Sequence, residues 1–239
     1  MQVQVISSVN EACSTRFHHK TAIIVDVLRA SSTIITALSS GATGVIPIET
    51  VMEARAAQLS GDLLCGERFC RTIPGFDLGN SPDDYTINKV KDRRILMTTT
   101  NGTRAFHKST KADYVLAAAL LNASACAKAA IELRRDVVIL CAGSHDEFAL
   151  EDGLCAGLLL EKLQSFLGLP LEMCDFSLAM LSLYRDRADQ LKESLYTSSA
   201  GKRLIKLGLK RDVDRCSLID IYKDVPRLYG DTLSNSYSN

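Results

Sequence analysis

The sequence predicts an α/β protein, a three-layer α/β/α arrangement with a mostly parallel or mixed sheet and a C-terminal extension. Three observations carry this. Short runs rich in Val, Ile and Leu alternate with segments of helical period, the pattern of strands joined by helices. Two of those runs, Ala22-Ile23-Ile24-Val25 and Val137-Val138-Ile139-Leu140, are apolar on both faces, as central strands covered from both sides must be. Hydrophobic residues make up 46% of a 239-residue chain, enough for a sizeable core and too many for a disordered chain.

In chain order, strands are expected at 3–7, 22–27, 44–48, 63–67, 95–99, 114–118 and 137–142. Helices are expected between them at 32–40, 51–59, 103–108 and 124–134, and after them at 150–167. The segment 175–195 reads as a broken helix, 200–207 as a helix ending at Gly208, and 216–222 as a closing strand. With no Pro-rich linker, low-complexity stretch or internal repeat, the chain reads as one domain, 1–239, with 169–239 an extension packed on it.

Charge and cysteine usage exclude several function classes. Lys+Arg and Asp+Glu both number 28, so there is no basic excess for nucleic acid or an anionic membrane surface. The chain shows no signal peptide and no apolar run near the ~20 residues that span a bilayer, so a cytoplasmic protein is expected. Eight cysteines occur without a Cys-x-x-Cys pair, and several sit in apolar runs, so they read as small buried hydrophobes. A homo-oligomer is compatible with a metabolic enzyme of this size, although no motif demands one.

Polar residues gather where predicted strands end, the edge at which open α/β sheets bind ligands. The clusters are Val25-Asp26-Val27-Leu28-Arg29-Ala30-Ser31-Ser32-Thr33, Glu67-Arg68 with the loop to Pro82, and Thr98-Thr99-Thr100-Asn101-Gly102-Thr103-Arg104. Asn122-Ala123-Ser124 and Cys141-Ala142-Gly143-Ser144-His145-Asp146-Glu147 follow, the latter leading to Glu151-Asp152. The segment 98–104 offers hydroxyls, free helix-start amides and an Arg to a phosphate. Thr and Asn are equally common helix caps, so this segment alone is ambiguous, but Arg29 beside Ser31 and Ser32 forms a second cradle of the same kind. Asp26, Glu67, Asp77, Glu151 and Asp152 share the edge, and carboxylates beside anion-binding Arg residues make sense with Mg²⁺ between them.

Other chemistries fit less well. Cys65-x₅-Arg71 has the spacing of thiol phosphatases, but Glu67 inside that loop would oppose a phosphate. Asp26 resembles an aspartate nucleophile, but Leu28 occupies the position of the second Asp such enzymes use as acid and base. No Gly-x-Gly-x-x-Gly or Walker sequence is present. His145 is placed to act as a general acid or base, whereas His18, His19 and His107 read as surface residues.

Those segments, with Gly75-Phe76-Asp77-Leu78-Gly79-Asn80-Ser81-Pro82, Leu121-Asn122-Ala123-Ser124, Leu150-Glu151-Asp152, Gly201-Lys202-Arg203-Leu204, Asp220-Ile221 and Val225-Pro226, resemble the 2-phosphosulfolactate phosphatase family of coenzyme M biosynthesis. The resemblance spans nearly the whole chain. It implies magnesium-dependent hydrolysis of the phosphate ester of a 2-hydroxy acid, most simply 2-phospho-3-sulfolactate to 3-sulfolactate and phosphate. Phe69-Cys70-Arg71 and the turn 144–148 depart from the family pattern.

On this reading the substrate is a small, highly anionic phosphorylated acid. Arg104 with Asn101, Gly102 and Thr103 binds one anion, and Arg29 with Ser31 another. Arg68 binds the third, with Asn80, Thr99 and Asn122 completing the pocket. Asp26, with Glu67 and Asp77, holds Mg²⁺, and His145 or Asp152 moves protons. A binding protein, or an isomerase or lyase of a phospho-acid, remains open; free phosphate release separates these from a phosphatase.

Overall fold

A computed structural model describes residues 1–145 and 147–235; Asp146, in the turn 144–148, lies outside the described residues. The seven strands expected between residues 3 and 142 are all present within a residue or two: β1 (Gln2–Ile6), β2 (Lys20–Val25), β3 (Gly44–Pro47), β4 (Leu63–Arg68), β6 (Arg94–Thr98), β7 (Tyr114–Ala118) and β8 (Asp136–Cys141). Four strands were not expected: β5 (Arg71–Thr72), β9 (Glu172–Met173), β10 (Pro226–Tyr229) and β11 (Thr232–Asn235). The sheet order is β5-β4-β6-β3-β11-β10-β7-β2-β8-β1-β9. Two parallel groups, β7-β2-β8-β1-β9 and β4-β6-β3, are joined by the antiparallel β10–β11 hairpin.

Side-chain alternation explains the layers. Ile23 and Val25 of β2, with Val137 and Ile139 of β8, join a core covered by α5 (Ala123–Glu132), α6 (Leu150–Leu167) and α7 (Asp175–Arg187). Their neighbours Ala22, Ile24, Val138 and Leu140 point the other way, onto α1 (Ala30–Ser39) and α4 (Gly102–Lys108). That second core also takes Val45, Cys65, Ile95 and Met97, so both strand groups grip α1 and α4. The opposite faces of β3, β4 and β6 send Ile46, Leu64 and Leu96 to a small third core under α2 (Val51–Ala57). Period-two patterning on strands covered from both sides therefore yields helix, sheet and helix in layers.

Register places the strand ends together. Val25 is level with both Ala118 and Cys141, and Gly66 is level with Thr98. Gly66 is required there: its φ is +143°, and a Cβ would fall 2.0 Å from the Thr98 carbonyl oxygen, a conformation and approach open only to glycine.

The carboxyl-terminal third departs from expectation. The broken helix is resolved into α7 and α8 (Leu191–Thr197) around a 3₁₀ turn, and α9 (Ser199–Lys206) matches the helix expected before Gly208. The strand expected at 216–222 is absent. There α10 (Lys210–Cys216) ends, and the amides of Asp220 and Tyr222 bond to the carbonyls of Leu120 and Leu121 at 3.0 and 2.9 Å. Those loop partners satisfy the backbone without a ladder, and Leu218, Ile219 and Ile221 stay partly exposed at 40–42%. The remaining short helix, α3 (Ile87–Val90), was not anticipated. Among the described residues, no helix is long and apolar enough to cross a membrane.

Candidate active site

A cavity of about 130 Å³ lies where the ends of β2, β4, β6 and β8 converge, well above the ~10–15 Å³ that a single water needs. Asp26, Leu28 and Arg29 line it after β2, and Glu67, Phe69 and Cys70 at the end of β4. Asn80, Thr99, Thr100 and Asn101 add a polar wall, closed by Gly143, Ser144 and His145 after β8 and by Arg203 of α9.

Its carboxylates are buried. Asp26 is 8% exposed; its Oδ1 accepts from the Ala30 amide at 3.0 Å, the first residue of α1. Oδ2 accepts no hydrogen bond from any described residue, and a Cβ on Gly102 would stand 2.8 Å from it. Gly102 thus lets the start of α4 approach the carboxylate closely. Burial first, then Glu67 and Glu151, push Asp26 up to about 7, against the pull of the Ala30 amide and Arg29.

Glu67 is a fastener. Oε1 accepts from the Thr100 amide and hydroxyl at 3.0 and 2.9 Å, and Oε2 from the Cys70 amide at 2.7 Å. It ties the loop after β4 to the loop after β6. Asp152 does the same for β2 and β8, accepting from the Val27 and Gly143 amides at 2.8 and 3.0 Å. Burial, then Asp26 and Glu151, hold its carboxyl well above the usual range. Glu151 is raised by burial and eased by the Ser198 hydroxyl. Both residues lie behind the lining rather than on it.

Among the described residues, no group of three His, Cys, Asp or Glu side chains is arranged to hold a metal by itself. A Mg²⁺ site needs less, because that ion takes one or two carboxylates and completes its shell with phosphate oxygens and water. Asp26 fits, with its unbonded oxygen on the cavity and an excess of neighbouring negative charge that a cation would offset.

Several expected site residues stand elsewhere. Arg29 is on the cavity, but Ser31 lies beneath it, donating to the Ile24 carbonyl at 3.3 Å and accepting from the Asp26 amide at 3.2 Å. Arg68 turns outward to the carbonyls of Glu67 and Glu49. Arg104 bonds Asn10 at 3.0 Å and is not part of the lining. Asp77 caps β4, accepting from the Leu64 amide at 2.8 Å, and is exposed. Asn122 is internal, bridging Ala119, Ala117 and Asp224. Thr103 and Thr99 bond one another within the turn into α4. Thr99, Asn101 and Asn80 do reach the cavity, and Asn101 Nδ2 donates to the Gly143 carbonyl at 2.9 Å. Asn80 Oδ1 is buried without a hydrogen-bond partner among the described residues, a state that calls for a ligand.

The thiol reading of Cys65 fails on burial: the residue is fully inaccessible, and desolvation pushes its thiol up to about 12.

Sequence reasoning overlooked two residues. Asp212 of α10, 3% exposed, pairs with Arg29 and accepts from Ser81 Oγ at 2.7 Å. Arg203 of α9 enters the cavity and contacts His145. Nothing local marks Asp212; Arg203 lies in the string Gly201-Lys202-Arg203-Leu204 already noted, which carried no assigned role.

The chain is similar to known proteins along nearly its whole length. A family model described as 2-phosphosulpholactate phosphatase matches residues 7–231. A probable 2-phosphosulfolactate phosphatase of Thermotoga petrophila is 40% identical over 209 residues, covering 87% of this chain and 89% of that protein. One of Symbiobacterium thermophilum is 43% identical over 211 residues, covering 87% and 90%. One of Clostridium beijerinckii is 39% identical over 236 residues, covering 94% and 98%.

Proposed function

Because the chain belongs to the 2-phosphosulfolactate phosphatase family, we propose that it hydrolyses 2-phospho-3-sulfolactate to 3-sulfolactate and phosphate with Mg²⁺. The product would feed coenzyme M synthesis, as the resemblance implies. The supporting observation is the cavity itself: buried Asp26, with one oxygen free of hydrogen bonds, faces a small space that also holds Arg29.

In this reading Asp26 would hold the metal, while the Ala30 amide at the start of α1 fixes its Oδ1. A Mg²⁺ ion bound there supplies Lewis-acid polarisation of the phosphoryl group. Arg29, held by Asp212, meets the charge that spreads over the phosphoryl oxygens as the ester bond breaks. Its fixed orientation matters because a preorganised cation needs no rearrangement in the transition state. Asn80 Oδ1 accepts a hydrogen bond from the attacking water, which relieves its unpaired state. Glu67 and Asp152 keep the four strand ends in register and do not touch substrate. His145, at the mouth, exchanges protons with solvent.

The test is phosphate release from 2-phosphosulfolactate and from 2-phospholactate, with Mg²⁺ and then with EDTA. Release that EDTA abolishes is expected. Tight binding without release would favour a receptor or isomerase and overturn the phosphatase reading.

A further inference from the structure

Two cavities meet at Ser144, His145 and Arg203. The second, about 480 Å³, lies between Glu147–Glu151 on one side and Thr197–Ala200 on the other. Arg203 therefore stands in the wall between the reaction cavity and a larger forecourt.

The two Arg residues on the reaction cavity differ in electrical state. Arg29 is 4% exposed and paired with the equally buried Asp212, and its Nη2 reaches the Cys70 carbonyl at 3.4 Å. Its charge is largely answered from within. Arg203 forms no ion pair among the described residues; it contacts His145 Nε2 and the Cys70 thiol, neither of which offsets a full positive charge. An unneutralised guanidinium attracts an incoming anion much more than a neutralised one, and its fork matches the paired oxygens of an oxyacid.

The side chain also stands on a fixed platform. Ser198 caps α9, accepting from the Gly201 amide at 3.0 Å. A Cβ on Gly201 would fall 1.8 Å from the Leu195 carbonyl oxygen, so α9 is pressed against α8. Leu204, 1% exposed, anchors the inner face beside Arg203.

We infer that Arg203 is the specificity-determining residue of this site, binding the sulfonate end of the substrate while Asp26 and Arg29 engage the phosphate. This rests on the phosphatase reading above. Asp26 and Glu67 line the cavity from the ends of β2 and β4, whereas Arg203 enters with His145 from the forecourt side. A substrate with two strong anions separated by a short carbon chain then lies with its phosphate inward and its sulfonate toward α9. The His145 contact holds the guanidinium until the sulfonate replaces it.

The test compares wild type, Arg203→Ala and Arg203→Lys on 2-phosphosulfolactate and on 2-phospholactate, which lacks the sulfonate. Arg203→Ala should lower kcat/KM for the sulfonated substrate roughly 10- to 100-fold, the effect of losing one charge-assisted pair, mainly through KM. For 2-phospholactate the change should stay within about threefold, and Lys should recover part of the loss. Equal losses on both substrates, or none on either, overturn the inference. Equilibrium binding of 3-sulfolactate and lactate, with Mg²⁺ present, gives a readout independent of turnover. Arg203→Ala should weaken 3-sulfolactate alone, by the same factor. If wild type binds 3-sulfolactate no better than lactate, the inference falls even where phosphate release is normal. If release is absent but the binding difference holds, only the phosphatase reading falls.

Discussion

Replacing Asp26 with Asn should destroy activity and, without metal, make the protein more stable. Asn keeps the acceptor that holds the Ala30 amide at 3.0 Å but removes the charge that burial, Glu67 and Glu151 oppose. The carboxyl lies at about 7 in the fold against an ordinary 3.8. At 1.36 kcal/mol for each pH unit, that gap amounts to about 4 kcal/mol. The folded state binds the extra proton, so the associated stability is fully present below the unfolded value and is lost as pH rises through about 7. Near pH 8 the wild type has lost all of it, whereas near pH 5 it retains more than half. Asp26→Asn, melted in EDTA near pH 8, should therefore exceed wild type by up to ~4 kcal/mol, roughly 8–16 °C for a chain of this size. That advantage should shrink by more than half near pH 5. Mg²⁺ should raise the wild-type midpoint and leave the variant unmoved. A variant that melts at or below wild type near pH 8 would show that the charge is already compensated, and the argument for a cation at Asp26 would collapse with it.

Two further outcomes follow from burial. Arg29→Ala leaves Asp212, 3% exposed, without its ion-pair partner, and should cost about 3–5 kcal/mol besides abolishing turnover; a loss under ~1 kcal/mol in a urea melt would contradict the pairing. Alkylation of the native protein should mark Cys13 and Cys174 first, because both are exposed and the Thr15 and Ser177 hydroxyls lower their thiols. Cys65, Cys126 and Cys216, each pushed up to about 12 by burial, should resist until the chain unfolds. Peptide mass mapping checks this, and early labelling of Cys126 would refute the packing of α5.

Apart from Asn80, which reaches the cavity from the loop before the 3₁₀ turn at 82–84, the residues that approached the site as predicted share one property: each follows or closes a buried strand. Asp26 directly follows β2, Glu67 lies near the end of β4, and Thr99 follows β6. An apolar run that stops at a polar residue is visible in one dimension, so Asp26, Arg29, Thr99, Asn101 and His145 were legible. The β10–β11 hairpin was legible too and was missed, because Leu228-Tyr229-Gly230-Asp231-Thr232-Leu233 carries a Gly-Asp turn between short apolar runs. Direction was not legible. Arg68 and Arg104 stand beside site residues in sequence, yet one turns to Glu49 and the other to Asn10.

Periodicity and turn chemistry, read from the sequence alone, determined the α/β layering, the strand ends and the acidic and hydroxyl residues gathered there. They act over a few residues, and the chain carries that information locally. Only the tertiary structure decided that Arg29 would be neutralised by Asp212, 183 positions away, and that Arg203 would take the place expected for Arg68 and Arg104. The physical reason is that electrostatic partnership depends on distance and burial in space, and the packing of α9 and α10 against the strand ends sets both.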